Sequence, residues 1–165
     1  MQSKVFIVVE DVYAPPALRH ILRKRGIHNA IINHLGICSK KMERVVRAHL
    51  REGRHVVIIA DAEQEPVKNK EKWIRESHKL GNNVTIIVID PCIEALACEA
   101  LGLKGCREKP CNNGPIRAID TYFRREKSRE YKKRLLPLLL KEADKDNKLD
   151  QVPEFKKLIK TLKDP

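Results

Sequence analysis

Three apolar runs constrain the fold most: "KVFIVVE" at 4–10, "HVVIIAD" at 55–61 and "NVTIIVID" at 83–90. They are rich in Val and Ile and continuous rather than alternating. Such strands need cover on both faces, which is the situation of a parallel sheet packed between helices. A weaker run, "NAIINHLG" at 29–36, predicts a further strand, second in chain order. Ala14, Ala17, Leu18, Ile21 and Leu22 recur at helical spacing after Pro15-Pro16, and Gly26 stops that helix. Ser39 is placed to cap a second helix with Met42, Val45, Val46 and Leu50 inward, ending at Gly53, and a third is expected from about Pro66 to Leu80. The alternation predicts an α/β fold: a doubly wound, mostly parallel sheet of about four strands, Rossmann-like, with right-handed crossovers.

Beyond the fourth strand, "PCIEALACEALGL" predicts a helix from Pro91, and "KGCREKPCNNGP" from Lys104 to Pro115 predicts a loop. A long charged helix is expected from Ile116 to about Ala143, bent at Pro137, docked through Ile119, Tyr122, Phe123, Leu135, Leu136, Leu138 and Leu139. A short amphipathic tail then packs through Phe155, Leu158, Ile159 and Leu162. The expected partition is a core at 1–113 and a basic helical C-terminal extension at 114–165, packed together as one domain.

No stretch approaches the ~18 apolar residues needed to span a bilayer, so a membrane partner is not expected. The first apolar run meets charge at Glu10, too early for the apolar region of a signal peptide, and the chain is expected to be cytoplasmic. The formal net charge of +12 favours a polyanionic partner; a Lys/Glu-heavy, thermophile-like surface serving solubility is the alternative. Aromatic residues are 4%, too few for many base-stacking platforms, so contact with nucleic acid, DNA or RNA, is expected along its backbone. Lys40, Lys41, Lys109, Arg124, Arg125, Arg129, Lys132, Lys133 and Arg134 are the candidates for it. Cys92, Cys98, Cys106 and Cys111 have spacings unlike a paired C-x-x-C zinc ribbon, so zinc is not expected. Idle thiols are the simplest expectation, with a Cys106–Cys111 disulfide as the alternative.

The remaining signal is acidic. Glu10 and Asp11 end the first strand and Asp61 ends the third, so both lie on the carboxyl rim, where functional groups of such sheets gather. If the chain stays extended through "DAEQE", the strand period of two turns Asp61, Glu63 and Glu65 to one side. Carboxylates converging there without Cys or His form a hard oxygen site for Mg²⁺ or Mn²⁺. Solvated turn residues, with Asp61 capping the next helix, are the structural alternative.

A strand ending in Glu ("VFIVVE") followed by a later strand ending in Asp-x-Glu-x-Glu ("DAEQE") resembles the toprim fold of type IA and type II topoisomerases, bacterial primases, OLD-type nucleases and small stand-alone proteins. The resemblance implies that Glu10 transfers a proton or binds metal, while Asp61, Glu63 and Glu65 bind Mg²⁺. Two departures are Asp11, where the family usually has a small residue, and Glu63 in place of a middle Asp. "IDPCIEALACEALGL" is similar to the N-P-x-x-E-x-W-L element of the stand-alone members, with Asp90, Pro91 and Glu94 in matching positions and Leu96 at the Trp. Glu94 is there a further ligand or a residue favouring its own helix N-terminus.

The resemblance implies metal-dependent hydrolysis of nucleic acid phosphodiesters, with Glu10, Asp61 and Glu63 catalytic. No signal marks Tyr13, Tyr122 or Tyr131 as the tyrosine nucleophile of a topoisomerase. Two other readings stand beside it. One is a non-catalytic module binding metal and nucleic acid for a protein partner. The other is a phospho-receiver domain using Glu10-Asp11, Asp61 and Lys109. His34, just past the second strand, is a minor candidate for proton transfer, and Trp73 is expected in the core or at a packing edge.

Overall fold

The computed structural model describes residues 4–165. Four parallel strands, β1 (Val5–Val9), β2 (Ala30–His34), β3 (His55–Asp61) and β4 (Val84–Ile89), form one sheet in the order β2-β1-β3-β4. The crossovers are α1 (Ala14–Lys24), α2 (Lys40–Arg51) and α3 (Val67–Ser77), followed by α4 (Glu94–Ala100), α5 (Pro115–Lys127), α6 (Leu136–Ala143) and α7 (Pro153–Lys163). Every residue of β1 is buried because alternate side chains serve two cores. Val5, Ile7 and Val9 meet the layer of α1 and α4–α7, while Phe6 and Val8 meet that of α2 and α3. The continuous apolar runs are thus explained by double cover, and the expected α/β class is observed.

Local chemistry sets the helix ends. The Ser39 hydroxyl accepts the Met42 N–H at 3.1 Å and so caps α2. Gly26 and Gly53 have φ of +75°, the left-handed conformation that glycine adopts without a Cβ penalty, and each ends its helix. Gly114 is needed for a different reason. A Cβ there would lie 2.1 Å from the Glu108 carbonyl oxygen, so only glycine lets the loop after α4 close against the start of α5.

Three expectations change. The single helix over 116–143 is two: α5 ends at Ser128, whose φ of +52° reverses the chain, and Pro137 lies in the first turn of α6, where a missing N–H costs nothing. Between them the Tyr131 N–H donates to Asp120 Oδ1 at 2.9 Å, giving the break its own hydrogen bond. Leu138, expected inside, is 42% exposed; Trp73 takes the second of its two expected places, an edge against His78 and Lys70. The helix expected from Pro91 begins only at Glu94.

The extension shares the main core with the sheet through Ile119, Phe123, Leu136, Leu139 and Phe155. Two arginines also bind it. Arg25, at the end of α1, grips Asp144 in a two-pronged pair at 2.6 and 2.8 Å, reaches Asp150 at 2.9 Å and lies over the Phe155 ring. Arg107 joins Glu99 at 2.7 Å, the Asp90 carbonyl at 2.8 Å and Glu154 at 2.8 Å. No helix of the described residues is long and apolar enough to cross a membrane. Asp144 is 2% exposed, so Asp144→Ala removes the two-pronged partner of the buried Arg25 guanidinium and leaves it only the half-exposed Asp150 and the Ile21 carbonyl. With Asp150 still paired to Arg25, a loss of about 2–3 kcal/mol is expected in urea unfolding, against less than about 0.5 kcal/mol for Leu138→Ala.

Candidate functional site

Parallel pairing sets Val9 opposite Ile59, and the Glu10 N–H donates to the Ile59 carbonyl at 3.0 Å. Glu10 thereby leaves β1 beside the end of β3, and its Oε2 accepts the Asp61 N–H at 2.8 Å. Asp61 Oδ1 in turn accepts the Ile93 N–H at 2.9 Å, fixing the chain entering α4. The next residue, Glu94, is fully buried with 0% exposure. Asp11 completes the acidic rim, its Oδ1 accepting the Tyr13 N–H at 2.8 Å in the turn into α1. Glu10 and Asp61 therefore end neighbouring strands on one rim, and Glu94, the other acid expected there, exerts its charge on Asp61.

The acidic triplet is not a strand-like row. β3 ends at Asp61, where the Ala62 N–H donates to Ile89 and the Glu63 N–H to the Pro91 carbonyl at 2.7 Å. Glu63 has φ of +57°, so the chain turns here and the alternation of two lapses. Glu63 still lines a cavity of about 300 Å³ that also has Asp61, Cys92, Pro110, Cys111 and Lys133 in its walls. The Glu65 side chain is exposed and outside that wall; its carbonyl accepts from Lys109 Nζ at 3.0 Å.

The positive group among these acids is Lys133. Its Nζ stands 3.4 Å from Glu94 Oε1, an atom that is buried and makes no hydrogen bond. Nearby, the Tyr131 hydroxyl is also buried without a hydrogen-bond partner, its ring edge-on to Phe123 at 5.4 Å. Burial, then Glu94 and Glu10, push the Asp61 carboxyl well above its ordinary range, and Lys133 opposes this only in part. Burial raises Glu94 too, against the pull of Lys133. Burial would lower Lys133, but Glu94, Asp11 and Asp61 raise it, so the ammonium keeps its proton. Tyr131 is raised by burial and by Glu94 and Asp11, which makes its phenolate a poor candidate nucleophile.

The cysteines are not idle. Cys92–Cys111 and Cys98–Cys106 are disulfides, in place of the 106–111 pairing considered from sequence, and Cys38 is free and exposed. Helix α4 carries Cys98 and follows Cys92, so each bridge ties it to the loop after it. Cys92, Glu94 and Cys111 lie close enough together to suggest a soft metal site, but both sulfurs are oxidised and cannot ligate as thiolates.

The other basic residues are dispersed. Lys40 and Lys41 open α2, exposed, while Lys109 is drawn into the rim, 3.3 Å from Asp90. Arg124 pairs with Asp120 and Arg125 with Glu126, both exposed, as are Arg129, Lys132 and Arg134. His34 Nδ1 lies 3.2 Å from the Val9 carbonyl, holding β2 against β1. From the sequence Lys133 is a candidate only for backbone contact, and Tyr131 is no site candidate, because nothing in "RREKSREYKKR" distinguishes the lysine that reaches the acidic rim from its neighbours.

Two outcomes follow. Asp61 in the folded chain retains a proton that the unfolded chain releases above pH ~4, so its contribution is favourable at low pH and is lost as pH rises through the folded-state value. In EDTA, Asp61→Asn should therefore be more stable than the parent near neutrality, by on the order of 1 kcal/mol, with a flatter pH dependence of urea midpoints. Reduction of the two bridges should lower stability by about 2–4 kcal/mol per bridge, measured as unfolding with and without a phosphine reductant.

Comparison with family models, with curated proteins and with solved structures gives no match.

Proposed function

We propose that the acidic rim binds a hard divalent cation, Mg²⁺ or Mn²⁺, and serves metal-dependent cleavage of nucleic acid phosphodiesters in the manner of toprim-like nucleases. The observation that supports this reading is the hydrogen bond from the Asp61 N–H to Glu10 Oε2 at 2.8 Å, which sets two strand-end acids on one rim, where the Asp61 carboxyl also feels the charge of Glu94. The donor set fits such an ion. It is all oxygen, the nearby sulfurs are tied up in a disulfide, and Glu94 Oε1 is a buried acceptor without a hydrogen bond. Zinc fits less well for the same reasons.

In this reading Asp61, with Oδ1 committed to the Ile93 N–H, and Glu94 would be the residues that hold the ion. Glu10 keeps Oε1 available while Oε2 is anchored to the Asp61 N–H, which suits it to accept a proton from water. Glu63, on the cavity wall, is a further oxygen donor at the mouth. The bound ion would supply an activated water and neutralise the departing oxygen. The surplus of twelve positive charges draws the polyanion to a rim that is itself acidic, so a phosphate reaches the carboxylates by way of a cation. Lys40, Lys41, Arg129, Lys132 and Arg134 are exposed groups available for backbone contact. A cytoplasmic protein acting on nucleic acid is the setting this implies. The receiver-domain reading is less well supported, because Lys109 engages Asp90 and the Glu65 carbonyl.

The test is cleavage of labelled single- and double-stranded DNA and RNA with Mg²⁺, Mn²⁺ or EDTA. Cutting should require the ion and fall about 10²-fold or more in Asp61→Ala, while Glu65→Ala stays near the parent. Metal confirmed bound with no cutting of any substrate would reject the nuclease and favour a binding module.

A further inference from the structure

Trp73 is 42% exposed while its neighbour Ile74 is fully buried, so the indole lies on the flank of α3 and half in water. Its edge is held. It stands edge-on to the His78 ring, with centroids 6.5 Å apart. His78 is itself 5% exposed and fixed, with Nε2 2.7 Å from the Ile37 carbonyl and Nδ1 3.2 Å from Glu43 Oε2 of α2. Arg47 joins the two helices at the same place, donating to Glu43 at 3.1 Å and to the His78 carbonyl at 3.0 Å. Lys70, one turn before Trp73, carries its ammonium over the indole, 5.7 Å from the ring centroid. A large flat ring positioned in this way loses little freedom when another ring lies against it.

The charge around it has one sign. Helices α2 and α3 cover the same face of the sheet. α2 carries five Lys and Arg against one Glu, and α3 four against two, a surplus that is half of the chain's +12. Arg47, Lys72 and Arg75 pair with Glu43, Glu76 and Glu71, whereas Lys40 and Lys70 have no carboxylate at ion-pair distance among the described residues. Lys40 and Arg47 lie one turn on either side of Glu43, on the side of α2 that meets His78. A partner for this face must bring negative charge and a flat apolar ring together. A nucleotide has both. An acidic protein segment supplies the charge without a run of planar rings, and a duplex keeps its bases stacked on one another, so an unpaired strand fits best.

We propose that Trp73 is a base-stacking platform for single-stranded nucleic acid, with Lys40, Arg47 and Lys70 meeting the phosphates beside the stacked base. This rests on the nucleic-acid part of the reading above and is independent of the metal. It also gives the polyanion a place on the α2–α3 face, apart from the carboxylates of the rim.

Trp73 is the sole tryptophan of the chain, so its fluorescence reports this face alone. The full chain is titrated in EDTA with oligodeoxythymidylate, oligouridylate, a duplex of equal length and oligoglutamate. The unpaired oligonucleotides should quench the emission, and the stronger of the two tells DNA from RNA. The duplex and oligoglutamate should leave the emission near its starting value. By anisotropy of a labelled strand, Trp73→Ala should weaken binding about tenfold or more and Trp73→Phe less. Lys70→Gln should weaken it too and lower its salt dependence by about one phosphate contact. Since Trp73 is half-exposed, the variants are expected to fold, and Trp73→Phe gives the same comparison if Trp73→Ala does not. Absence of quenching, or full affinity in Trp73→Ala, would overturn the proposal. Quenching by oligoglutamate as strong as by the oligonucleotides would assign the face to acidic protein and overturn it as well. Stacking by a chain that cuts nothing with Mg²⁺ or Mn²⁺ would leave the proposal standing and reject the nuclease.

Discussion

The parallel register between β1 and β3 is the constraint from which the site follows. With Val9 set opposite Ile59, the residue after β1 stands next to the last residue of β3, and a shift by one would turn Glu10 away from the Asp61 N–H. Asp61, held there, accepts the Ile93 N–H and thereby places the start of α4. That placement buries Glu94, and a buried carboxylate requires a positive neighbour. Lys133 meets the requirement, reached by a break in the helical extension that Ser128 and Pro137 make possible.

Such a rim opposes stability. Desolvated carboxylates pushed above their ordinary range disfavour the charged form, and the Lys133 ammonium offsets this only in part. The opposing contributions lie elsewhere in the molecule: a β1 buried along its whole length, the Arg25 and Arg107 junctions that hold the extension, and two disulfides around α4. Proteins commonly retain this arrangement of strain at a site and surplus stability around it where chemistry is required.

The strands were legible because a continuous Val/Ile run has few alternatives in a chain of this size, and the meeting of Glu10 with Asp61 was legible because both are strand-end residues. Glu63 and Glu65 were not placed correctly by periodicity, since the extended chain stops at Asp61 and a left-handed residue follows. The single helix over 116–143 failed for a related reason. Helical spacing persists across the break, and only Ser128 and the Asp120–Tyr131 hydrogen bond reveal the reversal. Lys133 and the disulfide partners are long-range facts. Glu94 and Lys133 are 39 positions apart and the cysteines pair across a loop, separations at which local pattern carries no information.

The arrangement of the cluster along the chain also fixes the order in which its charges appear during synthesis. Glu10, Asp11, Asp61 and Glu94 all leave the ribosome before Lys133, and the Arg25–Asp144 junction that helps seat the extension is completed later still, across 119 residues. A nascent chain with its four strands emerged therefore carries an acidic rim lacking its tethered ammonium. Closing so long a loop is entropically late, so the extension docks onto a sheet already formed. The ammonium arrives last, and in that interval the carboxylates of the rim repel one another without its offset.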